Sequence, residues 1–329
     1  MLDSSPPIKP PSQKVICISH IKDVDGCICA ALIKRAINAG FLLTNYGNIN
    51  QCLSNISNKY NAVYICDLGL NETILEELSR IRQFAELTYI DHHYLAEDIL
   101  KSLGEMDIQV INDLRDCASV HTFNLFKDML PREAGLLASY AAFSDRLENG
   151  PKATKIIKKH DRDFILFETM LLTYALEKAN VSLKKRIVRQ LSNLVYPHQI
   201  ESIPELALEQ ADRISLLRKG LPSMASKLGN VAYVEAKGGS LGVIANLLLD
   251  VCDATIGICY ETNLEKQISD LSIRSKTCLK INLGKMTTRL AKNLGGFGGG
   301  HPNASGARIP TSKLLEFITT ISDKEKMAK

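Results

Sequence analysis

The chain has 329 residues, 45% of them hydrophobic, and a formal net charge of +4 at pH 7. That length exceeds one ordinary core and fits two domains, the weak positive charge permits a polyanionic partner without requiring one, and no apolar run approaches the roughly 20 residues of a membrane span. Nine cysteines, an odd number with no CxxC pair, argue against a disulfide framework or a structural zinc, and with no signal-peptide core at the start a cytoplasmic protein is expected.

Residues 1–14, MLDSSPPIKPPSQK, are rich in Pro and Ser and read as a disordered leader. Lys14 to Ser19 (KVICIS) is an apolar, β-branched strand that runs straight into His20-Ile21-Lys22-Asp23-Val24-Asp25-Gly26. A helix is expected from about Cys27 to Ala39, with its stop at Gly40. His20, Asp23 and Asp25 crowd three potential ligands into six residues, and Gly26 reads as the residue that lets the backbone turn tightly. Such a loop suits a cation better than a phosphate.

The next strand, Ala62 to Cys66 (AVYIC), ends at Asp67; Asn71 is a candidate N-cap for a helix from about Glu72 to Arg82. A third apolar run, in LTYIDHHYL, stops at Asp91-His92-His93. Any one of these polar ends could be a cap or a turn. Three successive strands that each finish in carboxylate or imidazole instead form the pattern of a parallel sheet with a site along one edge.

Further on, an apolar helix from about Glu133 to Phe143 ends at Ser144-Asp145-Arg146. From 151 to 229 helical patterns dominate, with an excess of Lys and Arg that includes Lys158-Lys159 and Lys184-Lys185-Arg186. That stretch reads as a helical connector, either a guide for a nucleic-acid backbone or a solvated face. Residues 230–329 read strand (VAYVE), helix (SLGVIANLLLD), two strands (TIGICY, ISDLSIR), helix (GKMTTRLAKNL) and a glycine cluster, LGGFGGGHPNASGARIP. Gly298, Gly299 and Gly300 permit close backbone approach to a ligand, with His301 as a side-chain donor.

SHIKDVDG, YICDLG and YIDHH, in this order, resemble the first three motifs of the DHH phosphoesterase superfamily, which includes RecJ-like exonucleases, nano-RNases and cyclic-dinucleotide phosphodiesterases. The glycine cluster resembles the GGGH motif of the DHH-associated domain, with Ser305 where Ala is commoner, and Arg274 fits that domain's phosphate-gripping arginine. The spacing of His20 and Asp23 departs by one residue from both the nano-RNase and the RecJ patterns. The resemblance implies an α/β protein: a parallel-sheet DHH catalytic domain at 15–150, the connector at 151–229 and a smaller α/β DHH-associated substrate-binding domain at 230–329.

By that resemblance His20, Asp23, Asp25, Asp67, His92 and Asp145 hold two manganese ions, with magnesium as the substitute, and Asp67 bridges them. Asp91 orients a ligand imidazole from behind, His93 faces the phosphate, and Arg274, Gly298, Gly299, Gly300 and His301 hold the substrate's terminal nucleotide. The implied enzyme is a manganese-dependent phosphodiesterase or exonuclease acting on short RNA, single-stranded DNA or phosphonucleotides, of oligoribonuclease or 3′-phosphonucleotide phosphatase type, with no membrane partner and a homodimer among the states allowed. The alternatives are a RecJ-like single-strand exonuclease, a pyrophosphatase, and a non-catalytic scaffold of a replication assembly.

Overall fold

Continuous apolar runs bounded by polar turns produce strands buried on both faces, and alternation along each strand sends successive side chains to opposite sides. In strand β1 (Val15–His20) Cys17 joins the core on one face while Ile16 and Ile18 join the core on the other. The computed structural model describes residues 14–70, 72–236, 238–276 and 281–327; the leader through residue 13 and the Asn71 cap lie outside the described residues. The chain divides into two compact units, Met1–Gln210 and Ala211–Lys329. Among the described residues no helix is long and apolar enough to cross a membrane.

In the first unit β1 is followed by α1 (Val24–Ile37), β2 (Gly40–Thr44), α2 (Ile49–Ser54), β3 (Ala62–Cys66), α3 (Leu75–Arg82), β4 (Glu86–Asp91), α4 (Glu97–Glu105) and β5 (Gln109–Asn112). The five strands form one sheet in the order β2-β1-β3-β4-β5, every pair parallel. Helices α5 (Ala118–Leu125), α6 (Ala134–Ser144), α7 (Ala153–Ile157), α8 (Arg162–Lys178) and α9 (Val181–Ser192) share one core with α1, through residues such as Val120, Ala138, Ile156, Leu172 and Val188. Residues of the stretch read from sequence as a connector thus supply part of this unit's core. Enclosure explains why α1 is buried without a break from Val24 to Ile33.

Helix α1 begins at Val24, three residues before the expected start, because Asp23 is its N-cap and its carboxylate accepts the Gly26 N–H at 3.1 Å. Gly26 is therefore a helical residue and not a hinge. Its missing side chain has another cause: a Cβ there would lie 2.3 Å from the His20 carbonyl oxygen, so only glycine lets the helix pack this closely on the end of β1.

Helix α10 (Ile203–Met224) carries the chain across the division at Gln210. The second unit continues with β6 (Ser226–Leu228), β7 (Val231–Glu235), α11 (Leu241–Val251), β8 (Ile256–Asn263), β9 (Ile268–Ser275), α12 (Leu283–Asn293), β10 (Phe297–His301), β11 (Ala304–Pro310) and α13 (Leu314–Met327). Its six strands are ordered β10-β11-β9-β8-β7-β6, antiparallel except for the β7–β8 pair. Val231, Ile258, Ile273, Leu283 and Phe317 meet in its core.

Candidate metal centre

Parallel strands bring their C-terminal ends to one edge, and the strand order decides which ends are neighbours. Here β1, β3 and β4 lie side by side, so His20, Asp67 and Asp91 stand in a row, and the chain departs in opposite directions from β1 and β3, the switch point where open α/β sheets bind ligands. Asp67, just past β3, adopts φ +54, a left-handed conformation that Asp tolerates better than most residues, and donates its N–H to the Ile90 carbonyl at 3.0 Å. Asp23 and Asp25 arrive on the first turn of α1, and Asp145 as the C-cap of α6.

Two sets of donors result. His20, Asp23 and Asp67 place ligand atoms within 4.8 Å of one another, as do Asp25, His92 and Asp145. His20 Nδ1 lies 2.8 Å from Asp23 Oδ2 and 3.5 Å from Asp67 Oδ2, whereas His92 Nε2 lies 3.4 Å from Asp67 Oδ1, 3.4 Å from Asp145 Oδ2 and 3.6 Å from Asp25 Oδ2. The two oxygens of Asp67 therefore address different sets. Buried His20 Nε2 and Asp67 Oδ2 have no hydrogen-bond partner among the described residues, a cost that carboxylate and imidazole groups incur readily only where a cation satisfies them. All six residues expected to be ligands are brought together, and their oxygen and nitrogen donors fit divalent manganese or magnesium.

Asp91 sits behind them, fully buried, accepting from Tyr89 Oη on one oxygen and facing His93 Nδ1 at 2.8 Å on the other. The imidazole it orients is thus His93. Tyr89 Oη is also 3.1 Å from the Leu68 carbonyl.

Several contributors were not legible in the sequence. Tyr46, just after β2, stands over the His20 ring with centroids 5.1 Å apart and its hydroxyl 3.4 Å from His93 Nε2; it is 51% exposed, at the mouth of the site. The α5 N-terminus, which has no side-chain cap of its own, directs the Ala118 and Ser119 N–H groups onto Asp25 at 2.8 and 2.7 Å. Lys184 is buried and donates to the Ile21 carbonyl at 2.9 Å, so this member of the basic run braces the loop of His20 and Asp23 and cannot serve as a surface phosphate contact. No local sequence signal distinguishes it from Lys185.

Without a cation the site retains protons. Burial alone would depress the His20 imidazole, but Asp23 and Asp67 overcome it and raise the pKa to about 10; Asp67, Asp145 and Asp25 likewise raise His92. Burial, with Asp23 and Asp25 close by, lifts the Asp67 carboxyl to about 6, and burial beside Asp25 lifts Asp145 well above its usual range. Asp91 moves the other way: burial would raise it, but His93 holds it at about 2. A cation must displace protons from the raised groups, so its binding should release protons at pH 7 and tighten as pH rises. Calorimetric titration with manganese in buffers of different ionisation enthalpy measures this directly; heats independent of the buffer would contradict the expectation.

In the second unit Arg274 on β9 and His301 on β10 both stand opposite Ala304 of the intervening β11, so they occupy the same level of the sheet. Arg274 Nη1 is 2.9 Å from Ser272 Oγ and 3.0 Å from the Ile273 carbonyl. The glycine cluster forms strand β10. A Cβ on Gly298 would lie 2.7 Å from the Gly306 carbonyl, and Gly300, at φ +138, would place one 2.4 Å from the Ala304 carbonyl. Packing within the hairpin thus explains both glycines. Gly299 differs, because an added Cβ would meet only Thr288 Oγ1, at 3.5 Å.

Residues 228–326 match the DHHA1 domain family. A stretch of 100 residues, 30% of this chain, is 37% identical to an uncharacterized protein of Methanocaldococcus jannaschii, of which the match spans only 22%. In fold the chain is similar to the DHH domain of a member of a family of ribosomal proteins (14% identity, 95% of this chain and 86% of that one, TM-score 0.71). It is also similar to exonuclease RecJ bound to manganese (13%, 96% and 90%, 0.62) and to a pGpG-specific phosphodiesterase of Vibrio cholerae (14%, 96% and 100%, 0.57).

Proposed function

We propose that this chain, which has the DHH phosphoesterase fold and a DHHA1 domain at residues 228–326, is a metal-dependent phosphoesterase that hydrolyses short or single-stranded nucleic acid or phosphonucleotides. The observation that carries this reading is Asp67, whose two carboxylate oxygens face two separate sets of His and Asp donors. His20, Asp23 and Asp67 would hold one divalent cation, and Asp25, His92, Asp145 and the other oxygen of Asp67 a second. When bound, such a pair supplies an activated water at neutral pH and neutralises charge on the attacked phosphate.

The chain's own groups do the rest. Asp91 engages His93 Nδ1, which turns His93 Nε2 toward the mouth of the site beside the Tyr46 hydroxyl, where it can donate to a substrate phosphate. Every ligand position is chemically competent, which favours an enzyme over a scaffold. End-labelled RNA and DNA oligomers of graded length, incubated with manganese or magnesium, test the proposal. Hydrolysis of the shortest RNA oligomers or of 3′-phosphonucleotides is expected, and processive degradation of long single-stranded DNA would favour a RecJ-like exonuclease instead. Failure to hydrolyse any of them with either metal would return the chain to the scaffold class.

Within the second unit, Arg274, His301 and the Gly298–Gly300 backbone are proposed to grip the terminal nucleotide. Arg274→Ala and His301→Ala are each expected to lower kcat/KM on short nucleotides by roughly 10- to 100-fold, the equivalent of about 1–3 kcal/mol of charge-assisted hydrogen bonding. Bis-p-nitrophenyl phosphate, which has no nucleotide to grip, should be hydrolysed normally. Equal losses on both substrates would show that the two residues serve the chemistry or the fold.

A further inference from the structure

Helix α6 presents Asp145 to the metal site at its C-terminal end; at its N-terminal end, about 15 Å away at 1.5 Å per residue, Gly135 lines a separate cavity of about 500 Å³. Five cations line it: Lys127, Arg132, Lys152, Lys155 and Lys159. Among the described residues of its wall, Asp128 is the sole carboxylate. Among the described residues none of these five forms an ion pair, and what distinguishes them is their convergence on one concavity. Arg132 donates to the Lys159 carbonyl at 3.2 Å, and the Lys152 ammonium lies 3.2 Å from His121 Nδ1, contacts that position the two groups without pairing either side chain with a carboxylate. Lys127, Arg132, Lys155 and Lys159 are exposed, so water screens part of their mutual repulsion, and an anion joining them would relieve the rest.

The lining is not wholly polar. Leu130 and Ile156 are buried beneath it, and the half-buried Phe123 supplies an aromatic ring. Volume, cations and apolar lining together match a ligand with several phosphates and one flat organic group. We propose that this cavity is a second binding site, specific for a nucleoside polyphosphate and distinct from the metal centre. Lysine and arginine take the phosphates, and Phe123, Leu130 and Ile156 receive the base. A cavity of this volume holds one small ligand, which favours a nucleotide over a nucleic-acid strand.

The site stands whether or not the proposed hydrolysis is correct, and its test needs no turnover. Binding of a non-hydrolysable ATP analogue is measured calorimetrically with EDTA present, so that no divalent cation draws phosphate to the metal centre. Micromolar-range binding is expected, with affinity reduced on the order of tenfold or more in Lys155→Glu/Lys159→Glu and unchanged in Lys101→Glu, whose lysine is on α4 and does not line the cavity. Manganese-dependent hydrolysis of bis-p-nitrophenyl phosphate serves as the control for an intact fold and should be the same in all three proteins; if the wild type lacks it, the melting temperature takes its place. Inorganic tripolyphosphate should bind more weakly than the analogue, because it offers nothing to the apolar lining. The proposal is overturned if the wild type does not bind the analogue, if the double variant binds it equally well, if tripolyphosphate binds as tightly, or if only a single-stranded oligonucleotide binds.

Discussion

Asp67→Asn is expected to lower metal-dependent hydrolysis by on the order of 10³-fold or more, because in the proposed two-cation site the carboxylate would organise both ions, and several kcal/mol of transition-state stabilisation would depend on them. Asparagine is the informative replacement, since it keeps the size and tolerates the left-handed φ of +54. The same change should raise the melting temperature of the metal-free protein at neutral pH. Asp67 is buried beside Asp23 and Asp25, and its pKa is lifted to about 6. A carboxyl whose folded pKa exceeds its unfolded value stabilises most when protonated, and that stability is lost as pH climbs from about 4 through 6. The variant carries no such charge, so its advantage should be present above pH 6 and fade below pH 4. A variant that keeps a tenth of the wild-type rate would remove Asp67 from the bridging role, and an unchanged melting temperature would remove the electrostatic account.

Asp25→Ala should also abolish hydrolysis, but with the opposite effect on stability. Both Asp25 oxygens accept backbone N–H groups from the start of α5, at 2.7 and 2.8 Å, and Ser119 Oγ returns a bond to the Asp25 carbonyl at 2.8 Å. Asp25 thus caps, from a distant helix, an N-terminus that Cys117 cannot cap. Its removal leaves two buried donors without an acceptor, at a cost of about 3–5 kcal/mol, which corresponds to a fall of roughly 10 °C in melting temperature for a unit of this size. Thermal melts of the metal-free variant check this. If it melts with the wild type, the α5 clamp does not stabilise the fold.

Much of this protein is local and therefore legible from its sequence. The β-branched runs ending at His20, Asp67 and Asp91 declare strands that deliver polar groups at one end, and the apolar helix that stops at Asp145 declares a fourth arrival; the structure brings all of these into one cluster. The glycine cluster is legible as a special backbone, although its structural cause is a hairpin too tightly packed at Gly298 and Gly300 to admit a side chain.

What stays hidden depends on which distant segments touch. A single-residue pattern shows that Lys184 is charged, but only the packing of α9 shows that it is buried against the Ile21 carbonyl. Gly26 reads as a turn residue because sequence displays its flexibility and conceals the His20 backbone pressed against it. Tyr46 and the α5 clamp on Asp25 likewise join residues far apart along the chain, and the basic cavity depends on how the fold sets residues 123–135 against residues 152–160. The strands, their polar ends and the chemistry of the donors follow from side-chain periodicity and residue type, which are local properties. That Asp67 faces two donor sets and that Asp91 holds His93 are matters of tertiary packing, because they follow from the strand order β2-β1-β3-β4-β5 and from side-chain directions that no local pattern encodes.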